Sequence, residues 1–224
     1  MLIFPNWFAN FHFFDWLAFA FFLTGLFGYR YYLSFMLKRH SHRLFLGKLQ
    51  QYRHAWINGH SGGQDRIVVV QTLRNMLMAA SFMASTSILL IMGAFNLLRT
   101  LAPPEMAGNF FMTGISQQPV EVFKILLIIL ILSYTFFNFT WHIREVNYMS
   151  MVLNISKEQL DEIEGGDSSD HIARMFLTSG IYFSLGMRGY YFLIPLLIWF
   201  FSPVLMICAT ALILYVLIHR DLAA

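Results

Sequence analysis

No charged residue stands between Arg188 and His219, and none stands between Arg74 and Arg99. Each run exceeds the about 20 apolar residues that an α-helix needs to cross a hydrocarbon layer. Backbone in lipid has no water to bond, so such runs must close their hydrogen bonds internally, as helices do. Composition agrees: 12% of the 224 residues are charged and 58% are hydrophobic, against about 25% charged in a soluble domain. A soluble core of this size cannot hide so much apolar surface. The chain reads as an all-α integral membrane protein, a single transmembrane domain over residues 1–224 with no room for an independent soluble domain.

Four spans are expected, at about 16–36, 69–98, 122–142 and 190–218. The first contains Arg30, the third has Lys124 near its start, and the fourth contains Pro195 and Pro203. Each proline removes a backbone donor, leaving the carbonyls of Tyr191 and Trp199 without a helical partner; kinks are the expected result. The N-terminal segment has no basic residue before Arg30, so it does not read as a cleavable signal peptide. Its Trp7, Phe8, Phe11, Phe13, Phe14 and Trp16 have the character of an aromatic belt.

Lysine and arginine placement sets the expected orientation. Residues 37–74 hold seven (Lys38, Arg39, Arg43, Lys48, Arg53, Arg66, Arg74), and residues 142–189 hold Arg144, Lys157, Arg174 and Arg188. The 99–121 loop has only Arg99 and the tail only Arg220. The two rich loops are therefore expected in the cytoplasm of a bacterial cell, with the protein in the inner membrane and both termini outside.

Both cytoplasmic loops carry helical patterns. Phe45, Leu49, Tyr52 and Trp56 form one apolar stripe at steps of four, three and four. Its basic flanks suit anionic headgroups, and this accounts for the charge without nucleic acid. Ser156 and Gln159 have capping-box spacing for a short acidic helix, Lys157 to Glu164, ended by Gly165-Gly166. A further helix is expected from Asp167–Asp170 to Gly186, lying along the membrane on Ile172, Phe176 and Phe183. Gly180 and Ser184 in it form a small-x-x-x-small pair.

Polar residues enter the apolar layer in two seams. Gln71, Arg74, Asn75, Met78 and Ser85 share one face of the second span, while Ala80, Ala84 and Ser87 on the opposite side admit a close helix. Tyr134, Thr135, Asn138, His142 and Glu145 share a face of the third. Glu145 needs a cation, for which Arg30, Arg74, Arg144 and Arg188 are candidates. Arg30 lies six residues inside Met36, about 9 Å at 1.5 Å per residue, and a charge at such depth is a functional hypothesis.

The chemistry-bearing motifs are few. His142 and Glu145 have i, i+3 spacing for two metal ligands, but no second such pair exists, and no metal site or cofactor is expected. The one cysteine, Cys208, excludes an internal disulfide. No G-x-S-x-G, Walker or H-E-x-x-H sequence occurs, so no catalytic residue is assigned.

The run Gln71-Thr72-Leu73-Arg74-Asn75, followed by Met78, Ser81 and Ala84-Ser85-Thr86, resembles a family of uncharacterised bacterial and plant membrane proteins catalogued as a domain of unknown function. Arg188-Gly189-Tyr190-Tyr191-Phe192 with Pro195 and Trp199 is similar to that family's last span, and Arg144 to Asn147 to the end of its third. The resemblance implies a four-span inner-membrane protein and brings no activity.

The functional expectation is a non-enzymatic structural or accessory membrane protein, in a homo-oligomer or a larger complex. Arg30, Arg74, Asn75, Arg144 and Arg188 are the candidates for binding anionic lipid headgroups on the cytoplasmic side. Gln71, Ser85, Asn138, His142 and Glu145 form the polar seam. The alternative is a channel or a small-solute or anion transporter lined by the polar residues of spans two and three.

Overall fold

The computed structural model describes residues 12–39, 52, 55, 66–101, 119–166 and 168–222. They form α1 (Phe13–Arg39), α2 (Arg66–Leu101), α3 (Pro119–Val152), α4 (Lys157–Glu164), α5 (Ser169–Ile198) and α6 (Pro203–Leu222). Four of them, α2, α3, α5 and α6, are long and apolar enough to cross a membrane. The helix that contains the expected first span 16–36, α1, is not among these four; it has 27 residues and carries Asp15 and Arg30. The chain is a multi-pass membrane protein. The stripe Phe45, Leu49 and Trp56 lies outside the described residues, as does most of the 99–118 loop.

The last expected span requires correction. Residues 190–218 are not one helix: α5 ends at Ile198, residues 199–202 turn, and α6 begins at Pro203. At the first position of a helix, the missing proline N–H is one that would go unpaired anyway. Pro203 therefore starts a helix instead of kinking one, while Pro195 stays inside α5. The segment expected to end at Gly186 and lie on the membrane is the first half of α5. Its Ile172 and Phe176 are buried against Val146 and Met149 of α3. The expectation that both termini share a side rested on the undivided fourth span. Asp15 of α1 instead bonds Trp199 at the α5–α6 turn. Asp221, near the end of α6, bonds Tyr29, which is 14 residues further along α1, or about 21 Å. The described ends of α1 and α6 thus lie at opposite ends of the bundle.

Packing is organised around α3, which runs along both α2 and α5; α6 packs on α1 and α5. Small residues set the close approaches. A Cβ at Gly186 would stand 2.8 Å from the Phe139 ring, and one at Gly189 would stand 1.9 Å from Thr135 Oγ1. Three residues apart on α5, these glycines let α3 come nearer than any side chain would allow. On α2 the expected small face is realised: Ala80, Ala84 and Ser87 are buried, the two alanines clustering with Phe139. Ser87 also bonds the Tyr190 hydroxyl at 2.8 Å.

The loop helix α4 forms as its local signals dictate. Ser156 is extended and its Oγ accepts from the Gln159 N–H at 3.4 Å, and Gly165 closes the helix at φ 68°. This left-handed conformation suits a residue without Cβ. Leu160 anchors α4 to Val69, Leu73, Val146 and Met149 at one end of the bundle.

Candidate functional site

Two polar layers cross the apolar bundle. The first joins α1, α3 and the α5–α6 turn. Trp199 Nε1 donates to Asp15 Oδ1 at 2.9 Å, and Lys124 Nζ reaches Glu121 at 3.1 Å and the Trp199 carbonyl at 3.3 Å. Lys124 also lies 5.3 Å from the ring centroids of Trp199 and Phe200. This layer closes one end of the bundle.

The second layer joins α1, α5 and α6. Tyr29 donates its hydroxyl to Asp221 Oδ2, and the same oxygen accepts from Arg188 Nη2 at 3.2 Å. The Arg188 guanidinium lies 5.3 Å from the centre of the Tyr29 ring, a cation–π arrangement strengthened by desolvation. Both members of the ion pair are buried, with side chains 9% and 6% exposed. Arg188 Nε is also buried and has no hydrogen-bond partner among the described residues. Beside them Arg30 Nη1 donates to the Tyr134 hydroxyl at 2.7 Å, and Arg220 Nη1 to that of Tyr191 at 3.3 Å.

The two layers stand about 21 Å apart along α1, less than the about 30 Å of a bilayer's hydrocarbon core. A buried ion pair is sustained where partners surround it: Tyr29 and Arg188 both donate to Asp221 Oδ2, while Arg188 Nε is left unmatched among the described residues.

A cavity of about 450 Å³ opens at this second layer. Leu26, Phe27, Leu130, Ile131 and Phe192 give it apolar walls, and Tyr29, Arg30, Tyr134 and Arg188 give it a polar end. The size is ordinary for a ligand pocket, and so is the pairing of apolar walls with a few convergent polar groups.

The basic cluster expected from sequence is therefore divided. Arg30 and Arg188 come together at the cavity. Arg74 is exposed on α2 with Gln71 and Ser85. Arg144 is 55% exposed and stands 3.8 Å from Glu145, which gives that carboxylate a cation from among the four candidates but only a weak surface pair. Asn75 lines a different cavity, of about 490 Å³, with Thr72, His142, Phe176, Gly180 and Phe183. There His142 Nδ1 lies 2.8 Å from the Ser179 carbonyl and 2.9 Å from its hydroxyl; a carbonyl only accepts, so Nδ1 carries the proton. Asn138 is buried and donates to the Tyr134 carbonyl of its own helix at 2.7 Å. Among the described residues no group of His, Cys, Asp and Glu is arranged to hold a metal ion.

Sequence reasoning missed Asp221, Tyr29 and Asp15, and it had Tyr134 on the polar face of the third span without its partner Arg30. Asp221 was readable only as tail while residues 190–218 counted as one crossing. Tyr29 carries no local signal, because its partners lie on other helices.

A family described as "Protein of unknown function, DUF599" matches residues 17–224. The chain belongs to this family. The match takes in α1 from Leu17 and every helix after it, so both polar layers except Asp15 fall within the family region. No curated protein and no solved structure matches the chain. With no activity attached to the family's description, the chemistry of the cavity carries the functional reading.

Proposed function

We propose that this chain is a non-enzymatic membrane protein of the bacterial inner membrane that binds an anionic amphiphile in the groove between α1, α3 and α5. The single observation behind the reading is the cavity itself, with apolar walls ending at Arg30, Arg188 and Tyr134. An acyl chain along Leu26, Phe27, Leu130 and Ile131 would bring its headgroup to Arg30. A guanidinium with several donors suits a carboxylate or phosphate oxygen by charge-assisted bonds.

The lysine and arginine distribution puts the 40–65 segment and the α4 region in the cytoplasm. With α1, α2, α3, α5 and α6 all crossing, the α5–α6 turn faces outward and the Arg220 end of α6 faces inward. The groove's polar end then sits toward the cytoplasmic side, short of the interface. Exposed Gln71, Arg74 and Asn75 on α2 offer a polar strip for cytoplasmic headgroups or for an assembly partner, in keeping with an accessory role.

A channel along α2 and α3 has weaker support, since Asn138 is buried and its Nδ2 bonds the Tyr134 carbonyl of its own helix. The reading is tested by lipid retention of the purified protein in native mass spectrometry. Phosphatidylglycerol is expected to outlast phosphatidylcholine, and Arg30→Ala to remove the difference. Equal retention of both lipids by the native protein would refute the groove as an anion site.

A further inference from the structure

The cavity of about 490 Å³ lies between α2 and α5 where both pack on α3, across α5 from the groove. His142 in its floor is eight residues along α3 from Tyr134, about 12 Å nearer the α4 end of the bundle. Thr72 and Asn75, at i and i+3 on α2, stand toward that end. Met76, Ala79, Phe176 and Phe183 continue the walls with apolar surface. The Phe183 ring sits 5.1 Å from that of His142, and Gly180 contributes no side chain to the floor. No lysine, arginine, aspartate or glutamate lines the space. Arg74 falls on another face of α2 from Asn75, since residues i and i+1 do not share one.

The polar end has a definite hydrogen-bonding character. Thr72 gives its hydroxyl proton to the Val68 carbonyl at 2.9 Å, so its oxygen can only accept from a ligand. The Asn75 amide both donates and accepts. His142 gives its Nδ1 proton to the Ser179 carbonyl. A ligand ether, ester or ketone would accept from Asn75 but set a second acceptor against Thr72. A hydroxyl does both tasks with one atom, donating to Thr72 and accepting from Asn75. An anionic headgroup would bring a charge to a place lined by no cation, which is costly.

We propose that this α2–α5 cavity is a separate lipid site, which takes an uncharged amphiphile by its hydroxyl group. The hydroxyl lies between Thr72 Oγ1 and the Asn75 amide, and the chain runs along Ala79 and Phe183. The proposal stands apart from the anion reading of the groove. A long-chain alcohol and a diacylglycerol share the required chemistry, one hydroxyl on an apolar body.

The experiment uses the full chain in phosphatidylcholine nanodiscs, whose lipid carries no hydroxyl, with a photoactivatable long-chain alcohol as probe. Label is expected on residues 72–79 and 176–183. Oleyl alcohol should displace it about tenfold better than oleyl methyl ether or oleate, the scale of one hydrogen bond in a dry site. Asn75→Ala should weaken alcohol binding about tenfold, and Ala79→Leu, which narrows the cavity, should abolish the label. Both positions are exposed on α2, so neither change disturbs the bundle's packing. Arg30→Ala should leave the label unchanged. Displacement by dioleoylglycerol as well as oleyl alcohol would identify a bilayer glyceride as the ligand, and displacement by oleyl alcohol alone a single-chain alcohol.

Equal displacement by the alcohol and its methyl ether would make the cavity an apolar slot and overturn the proposal with the native protein alone. Label that survives Ala79→Leu and is lost in Arg30→Ala would put the alcohol in the groove, and would overturn it too.

Discussion

Lys124 on α3 donates to the carbonyl of Trp199, the carbonyl that Pro203 leaves without a helical donor. The α5–α6 turn is thus held by a cation from another helix, and the same lysine keeps Glu121 paired. A buried carbonyl stripped of its partner costs about 1–3 kcal/mol. Lys124→Met should therefore destabilise the folded protein by about 2 kcal/mol, read as a lower midpoint in mixed-micelle unfolding. An unchanged midpoint would mean that the turn holds itself.

The α3–α5 contact depends on two positions without side chains. Gly189→Ala places a methyl 1.9 Å from Thr135 Oγ1, and overpacking of this kind costs about 1–3 kcal/mol. Thr135→Ala in the Gly189→Ala background should recover part of that loss. A double variant no more stable than Gly189→Ala would place the strain elsewhere.

How much of this was legible varies with the range of the interaction. The α4 helix was readable residue by residue, because Ser156, Gln159 and Gly165 act within one turn of themselves. The small face of α2 was readable too, since helical spacing alone brings Ala80, Ala84 and Ser87 together. The α5–α6 hairpin was not. Its turn at Phe200, Phe201 and Ser202 is as apolar as the helices it joins, so composition offers no boundary, and Pro203 serves a kink or a helix start equally well. The site split along the same line: Arg30 and Arg188 stand out as charges in apolar surroundings, whereas their pairing with Tyr134 and Asp221 is fixed by helix packing that spacing does not encode.

The hairpin has a topological consequence. In a Cys208→Ala background, a cysteine at Phe201, which is 86% exposed, should be modified by an impermeant reagent on intact cells. One at Arg220 should react only after permeabilisation. Labelling of Arg220→Cys from outside would put the end of α6 on the outer face and defeat the five-crossing arrangement.

The buried pair across α5 and α6 should behave as a unit. Arg188→Gln alone leaves Asp221 charged and unpaired, and such a break costs about 3–5 kcal/mol. Arg188→Gln with Asp221→Asn removes both charges and should recover most of that stability, which a double-mutant cycle would measure. Additive losses would show that the two side chains contribute independently.

The central claim is that an anionic amphiphile occupies the groove with its headgroup at Arg30. It is tested most directly by a photoactivatable fatty acid added to the full-length protein in its membrane, with the labelled peptides identified by mass spectrometry. The account predicts labels on the Leu26–Arg30 and Leu130–Tyr134 segments, displaced by excess oleate or phosphatidylglycerol and lost in Arg30→Ala. Labels spread over the lipid-facing side chains of α2 such as Phe82 and Leu89, indifferent to Arg30, would contradict it.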